Sequence, residues 1–160
     1  MLDLPMLAFR MTGVGEYIEL SIDEVFGFPN ETSYGGGYGA RGVLTIHATE
    51  DSGEYFVKAN HYFTTGELFR FSNALKRCYD TLSGEAVLEN TERELELKCE
   101  FNRLGHVIMS GEFQACPTSK NSLVFEIKSD QTQVKDTISI LEAVYKVFGG
   151  EQGKKDLLTT

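Results

Sequence analysis

Residues 93–101 read RELELKCEF, and the alternation is unbroken: Leu95, Leu97, Cys99 and Phe101 on one side, Glu94, Glu96, Lys98 and Glu100 on the other. Only an extended chain separates such a sequence into one apolar face and one wet face. A strand with a wet face belongs to antiparallel rather than parallel sheet, so this stretch already narrows the fold. The same period runs through Leu123, Phe125 and Ile127 in SLVFEIK (122–128) and through Ile18, Leu20 and Ile22 in YIELSID (17–23). VLTIHAT (43–49) and EYFVKANHYF (54–63) are rich in β-formers, and the EDSG between them predicts a tight hairpin. HVIMSGEF (106–113), entered through Gly105, is a further strand, and residues 85–89 (EAVLE) are a short one.

Two segments carry a different period. Leu68, Phe71, Leu75, Cys78, Tyr79 and Leu82 form one helical stripe over residues 65–82. Thr64 with Glu67 fits a capping box, and Gly84 suits the stop. Val134, Ile138, Leu141, Tyr145 and Phe148 form the stripe of a second helix over residues 131–148, with Asp130 and Gln133 at its start and Gly149 and Gly150 at its end. The predicted order is β-β-β-α-β-β-β-β-α. This is an α+β fold, a largely antiparallel sheet of six to seven strands with two helices packed on it. Each half closes with strand, cap and helix, the outline of a degenerate repeat. Phe71, Leu75, Leu97, Phe101, Phe125, Ile138 and Leu141 are the expected core. Residues 1–150 read as a single domain and residues 151–160 (EQGKKDLLTT) as a mobile polar tail.

Composition limits the function. At 160 residues and 41% hydrophobic content the chain can bury an ordinary core. No apolar run nears the roughly 20 residues of a membrane span, and residues 1–13 lack the basic start of a signal peptide, so a cytoplasmic location is expected. Cys78, Cys99 and Cys116 are odd in number and form no C-x-x-C, which suits a reducing compartment. The 24 acids against 15 bases give a formal charge of −9. A nucleic acid would be repelled, and a partner selected by charge would be basic.

Residues 37–42, GYGARG, spell G-x-G-x-x-G. In a dinucleotide site a strand enters that turn and a helix leaves it, with the helix N-terminus facing the pyrophosphate. Here the polar FPNETSYGG precedes it and the strand-like VLTIHAT follows, so residues 30–42 are expected to be a glycine-rich surface loop decorated by Tyr34 and Tyr38. His47, His61 and His106 do not converge. A hairpin closed at EDSG sets His47 opposite Phe56 and leaves His61 five residues further on, roughly 17 Å away. No nucleophile, zinc or phosphate-loop motif is present. Glu92, Glu94 and Glu96 recur at about 7 Å on a strand face, a tolerable spacing for an inverting glycosidase. That face is wet, however, and a general acid needs the raised pKa that burial supplies. The expectation is a chain with no catalytic, metal or cofactor site.

The runs GEAVLENTERELELKCEFNRLGHVIMSGEF and LVFEIKSDQTQVKDTISILEAVYKVF, with the first helix ELFRFSNALKRCYDTL, resemble the WapI-type immunity proteins of bacterial polymorphic-toxin systems. The matching positions are Gly84, Glu85, Gly105, His106, Gly111, Asp130, Gln131 and Thr132, and the resemblance spans roughly residues 17–148. The family often has Asn-Trp-Leu at the start of its second strand, where this chain has residues 40–44, ARGVL, and it has no tryptophan. The resemblance implies a non-enzymatic cytoplasmic protein that binds and occludes a toxin domain. A basic nuclease domain would suit the acidic balance. The other reading left open is a small intracellular binding or scaffold domain. The candidate partner surface is the strip Glu92, Glu94, Glu96 and Glu100 together with Tyr34 and Tyr38.

Overall fold

The computed structural model describes residues 2–158. The first half builds one antiparallel sheet from β1 (Met6–Thr12), β2 (Tyr17–Ile22), β3 (Glu24–Phe26), β4 (Gly39–Glu50) and β5 (Gly53–Thr64). β4 is its spine. β5 pairs along its whole length, while β2 and β3 share its other edge, β2 against residues 44–47 and β3 against residues 39–41. β1 lies outside β2. The second half builds a four-stranded meander from β6 (Gly84–Leu88), β7 (Leu95–Phe101), β8 (His106–Phe113) and β9 (Leu123–Asp130). Helix α1 (Thr65–Thr81) follows β5, α2 (Gln131–Phe148) follows β9, and a single turn, α3 (Lys155–Leu158), comes last.

The chain is thus α+β with antiparallel strands and two long helices, as the periodicities indicate. Among the described residues the strands number nine and divide between two sheets. The two additions are β1 and β3. In β1 a bulge between Leu7 and Phe9 turns both Ala8 and Phe9 inward, which erases the alternation. β3 has only three residues.

Both halves run strands-then-helix, and the helices cross over. α1 packs as much on β6, the first strand of the other half, as on α2, and α2 packs mainly on β1. Phe71 of α1 meets Phe9 of β1 edge-on at 6.0 Å. The Thr137 hydroxyl donates to the Arg10 carbonyl at 2.7 Å, and the Ser129 hydroxyl to the Thr12 carbonyl at 2.6 Å. One contiguous apolar core therefore draws on both sheets and both long helices. Of the seven expected core residues six are buried, and Ile138 is half-buried. The α2 face is rotated from the expected stripe: Val134, Thr137, Leu141, Val144 and Phe148 are buried, while Ile138 and Tyr145 lie on its flank. Thr137 can face inward because its hydroxyl finds the Arg10 carbonyl.

The helix ends follow their caps. Thr64 and Glu67 form the reciprocal capping box of α1, and the Asp130 carboxylate accepts from the Gln133 N–H at 3.1 Å at the start of α2. The left-handed residue that ends α1 is Leu82 (φ 49°); Gly84 opens β6 instead of closing the helix. Beyond α2 the chain folds back. The Asp156 carboxylate accepts from the N–H groups of Gly150 and Gln152, both at 3.0 Å, and the Lys154 N–H donates to the Tyr38 hydroxyl at 2.7 Å. The tail expected to be mobile thus makes specific contacts as far as the described residues run; Thr159 and Thr160 lie outside them.

Candidate partner surface

Two connections gather around the N-terminus of α1, and Glu67 ties one of them, β6–β7, to it. One carboxylate oxygen accepts from the Thr64 N–H at 3.0 Å and from the Asn90 side-chain amide at 3.3 Å. The other accepts from the N–H (3.0 Å) and hydroxyl (3.3 Å) of Thr91. The carboxylate therefore holds the β6–β7 connection against the helix start. Burial raises its pKa, and these donors pull against that rise. The β3–β4 connection joins the same group: the Gly35 carbonyl accepts from the Thr64 hydroxyl and from Arg70 Nη2, and Arg70 Nη1 holds both oxygens of Glu151 at 2.6 and 2.7 Å. Gly66 packs directly on the Gly36 backbone; a Cβ there would lie 2.4 Å from the Gly36 carbonyl carbon.

The six sequence candidates separate on this frame. Tyr34 projects wholly into solvent at the crest of the β3–β4 connection. Tyr38, expected at the surface, does not belong to it: it is 1% exposed, its ring packs against Phe28 and Phe148, and its hydroxyl donates to the Pro29 carbonyl. Its burial depends on the end of α2 and on the tail, both over a hundred residues away in sequence. The following GARG, residues 39–42, is already the start of β4, so the strand–turn–helix of a dinucleotide site is absent.

The acidic strip is also interrupted. β7 begins at Leu95, after Arg93 turns the chain with φ 58°, so Glu92 and Glu94 precede the strand and do not extend its face. Glu92 is exposed in the turn, Glu94 is half-buried, and Glu96 and Glu100 are exposed on β7. Partial burial raises the Glu94 pKa, and Glu92 adds to the rise. Lys98 Nζ sits 2.9 Å from Glu100 and 3.8 Å from Glu85, offsetting charge at that end of the strand. At the other end Glu96 faces Glu112 of β8 across the ladder.

The β6–β7 connection separates two depressions. One, about 250 Å³, is lined by Phe26, Tyr34, Tyr62, Glu67, Thr91 and Glu92 among others. It brings together Tyr34 and Glu92, which are far apart in sequence. It also adds Phe26 and Tyr62, which are 46% and 51% exposed and absent from the sequence reading. Tyr62 had a signal: on β5 it alternates with His61 and Phe63, which point inward. Phe26 had none, because β3 is too short to show a period. The other depression, about 650 Å³, lies over β7 and is lined by Val87, Asn90, Arg93, Glu96, Lys98 and Ser110 among others.

The histidines stay apart. His47 faces Phe56 as the hairpin predicts and bonds Glu54 at 2.5 Å; His61 is buried opposite Gly42; His106 faces Asp130. Among the described residues no cluster of three or more His, Cys, Asp or Glu is placed to hold a metal, and no helix is long and apolar enough to cross a membrane. Cys78 and Cys99 are buried, which raises the pKa of both; Cys116 is exposed, and hydrogen bonding to Thr118 lowers its pKa.

Paired antiparallel meanders, each followed by a capped helix, with loops gathered at the start of the first helix, define an α+β domain whose exposed relief is shallow. The model of the immunity protein WapI-like family matches residues 9–149, and the chain belongs to that family. No curated protein and no solved structure matches it.

Proposed function

We propose that this protein binds a toxin domain and neutralises it by occlusion, through the loop cluster at the start of α1. Membership of an immunity-protein family over residues 9–149 carries this reading. The surface chemistry supports it. Tyr34 is fully exposed beside Phe26, Tyr62 and Glu92 on loops held by Glu67 and Arg70. Exposed aromatic rings on a rigid support are the side chains that most often anchor a protein interface. With a chain charge of −9, a basic toxin domain such as a nuclease is the complement.

The test is calorimetric titration of the protein with the C-terminal domain of the toxin encoded beside its gene, followed by an assay of that toxin's activity. Saturable one-to-one binding with loss of toxin activity is expected, and Tyr34→Ala should weaken it about tenfold or more. Absence of binding, or binding that leaves the toxin active, would sink the reading.

A further inference from the structure

β5 is an edge strand whose free side is uncovered for most of its length. It pairs with β4 alone. Near its C-terminal end the Asn90 side chain reaches the Tyr62 carbonyl at 3.3 Å; residues 54–60 have no such cover among the described contacts. Here Tyr55 and Phe56 are 52% and 58% exposed, and Glu54 and Lys58 are exposed beside them. Proteins ordinarily protect a long apolar edge with charge, because its unpaired N–H and C=O groups are a template for another strand. On this edge the two charges are of opposite sign and stand two residues either side of Phe56.

We propose that the β5 edge pairs antiparallel with the β5 edge of a second copy of this chain, about a two-fold axis at Phe56. In that register Phe56 faces Phe56 of the second copy, and Glu54 faces Lys58 of the second copy twice over. The same charges that would repel most foreign strands select this one. His47 holds Glu54 on this face, and Lys58 makes no ion pair among the described residues. The other side of the strand is complementary too. Tyr55, Val57 and Ala59 share the side on which His61 and Phe63 are buried. A groove of about 350 Å³ runs along this edge, with Phe56, Val57, Lys58 and Ala59 on one wall and Phe113 and Leu123 on the other. Tyr55 of the second copy, opposite Val57, enters it. Phe56 lies six residues from Tyr62, roughly 20 Å along the strand, so pairing leaves the loop cluster accessible.

Sedimentation equilibrium of the full chain over a wide concentration range should show a reversible dimer. Lys58→Glu sets like charges opposite one another twice and should weaken it about tenfold. Glu54→Lys should do the same, and the double exchange E54K/K58E should restore it. Phe56→Cys in a Cys116→Ser background should form an inter-copy disulfide under mild oxidation, because residues on the axis lie about 4.5–5.5 Å apart at Cα, within disulfide reach. A monomer at every concentration overturns the proposal. So does a dimer that Lys58→Glu leaves unchanged, or one that the double exchange fails to restore.

Discussion

His61 lies in β5 with its ring stacked on Phe63 at 6.0 Å and edge-on to Phe113 at 5.8 Å, and its Nδ1 has no hydrogen-bond partner. Burial lowers its pKa from 6.5 to about 4. The unfolded chain takes up this proton below about pH 6.5, whereas the folded chain does so only near 4. Stability is therefore lost as pH falls through that window, by up to about 3 kcal/mol. His61→Phe should remove this loss, seen as a flatter pH dependence in urea unfolding; an unaltered slope would mean that the histidine does not titrate as its burial requires. Glu67 has the opposite sign. Its pKa is raised by burial, so the folded chain holds that proton more tightly than the unfolded one. Its contribution is full in acid and declines as pH rises through the folded pKa. At neutral pH its value lies in the donors it satisfies. Glu67→Ala strands the N–H groups of Thr64 and Thr91 and should cost about 2–3 kcal/mol. Glu67→Gln keeps an acceptor and should cost clearly less. Equal losses in denaturant titrations of the two variants would remove Glu67 from its place at the junction.

Between elements, the hydroxyl of Tyr38 joins three segments: it donates to the Pro29 carbonyl and accepts from the Lys154 N–H, while its ring packs on Phe148 of α2. Tyr38→Phe preserves the packing and leaves both backbone groups without this partner, a cost of about 1–3 kcal/mol. The loss should appear locally, as faster tryptic cleavage at Lys154 and Lys155 under native conditions; unchanged cleavage would show that the tail is held by other contacts. Phe28 and Pro29 are near Tyr38 in sequence, but nothing local reveals this role, because the partners that bury and join it, Phe148 and Lys154, lie over a hundred residues away. The β4–β5 hairpin is the opposite case. Its turn residues and alternation are local, and the predicted pair of His47 with Phe56 is the observed one. Both N-terminal caps were legible for the same reason, since a capping box is contained in four residues. β1 was hidden by its bulge, and the inward turn of Thr137 by an acceptor on a distant strand. The junction of Tyr34 with Glu92 was invisible too, because it is made by Glu67 pulling the β6–β7 connection onto α1.

Across the whole molecule the excess of acid acts at long range, and its distribution decides where. Glu100 and Glu85 share Lys98, so that end of β7 contributes little net field. Glu92, Glu94 and Glu96 form no ion pair among the described residues, and Glu94 and Glu96 line one notch with Glu112, where Arg93 offsets part of three acidic charges. Like charges gathered in this way repel one another, so they weaken folding slightly and strengthen the attraction of a basic body. Attraction of this kind chiefly speeds encounter, and salt screens it over about 8 Å at physiological ionic strength. If a toxin domain docks on the neighbouring loop cluster, reversing Glu94 and Glu96 to Lys should slow association severalfold and flatten its dependence on salt. Glu100→Lys, made beside an existing lysine and farther from Glu92, should change the on-rate less. Stopped-flow association with the neighbouring toxin domain at two ionic strengths measures all three proteins. Stability of the double variant should stay within about 1 kcal/mol of the parent, because Glu96 is exposed and Glu94 only half-buried, so neither charge contributes much to folding. A slower on-rate at unchanged stability would assign these glutamates to recognition, whereas equal on-rates at both salt concentrations would leave them an ordinary solvated face.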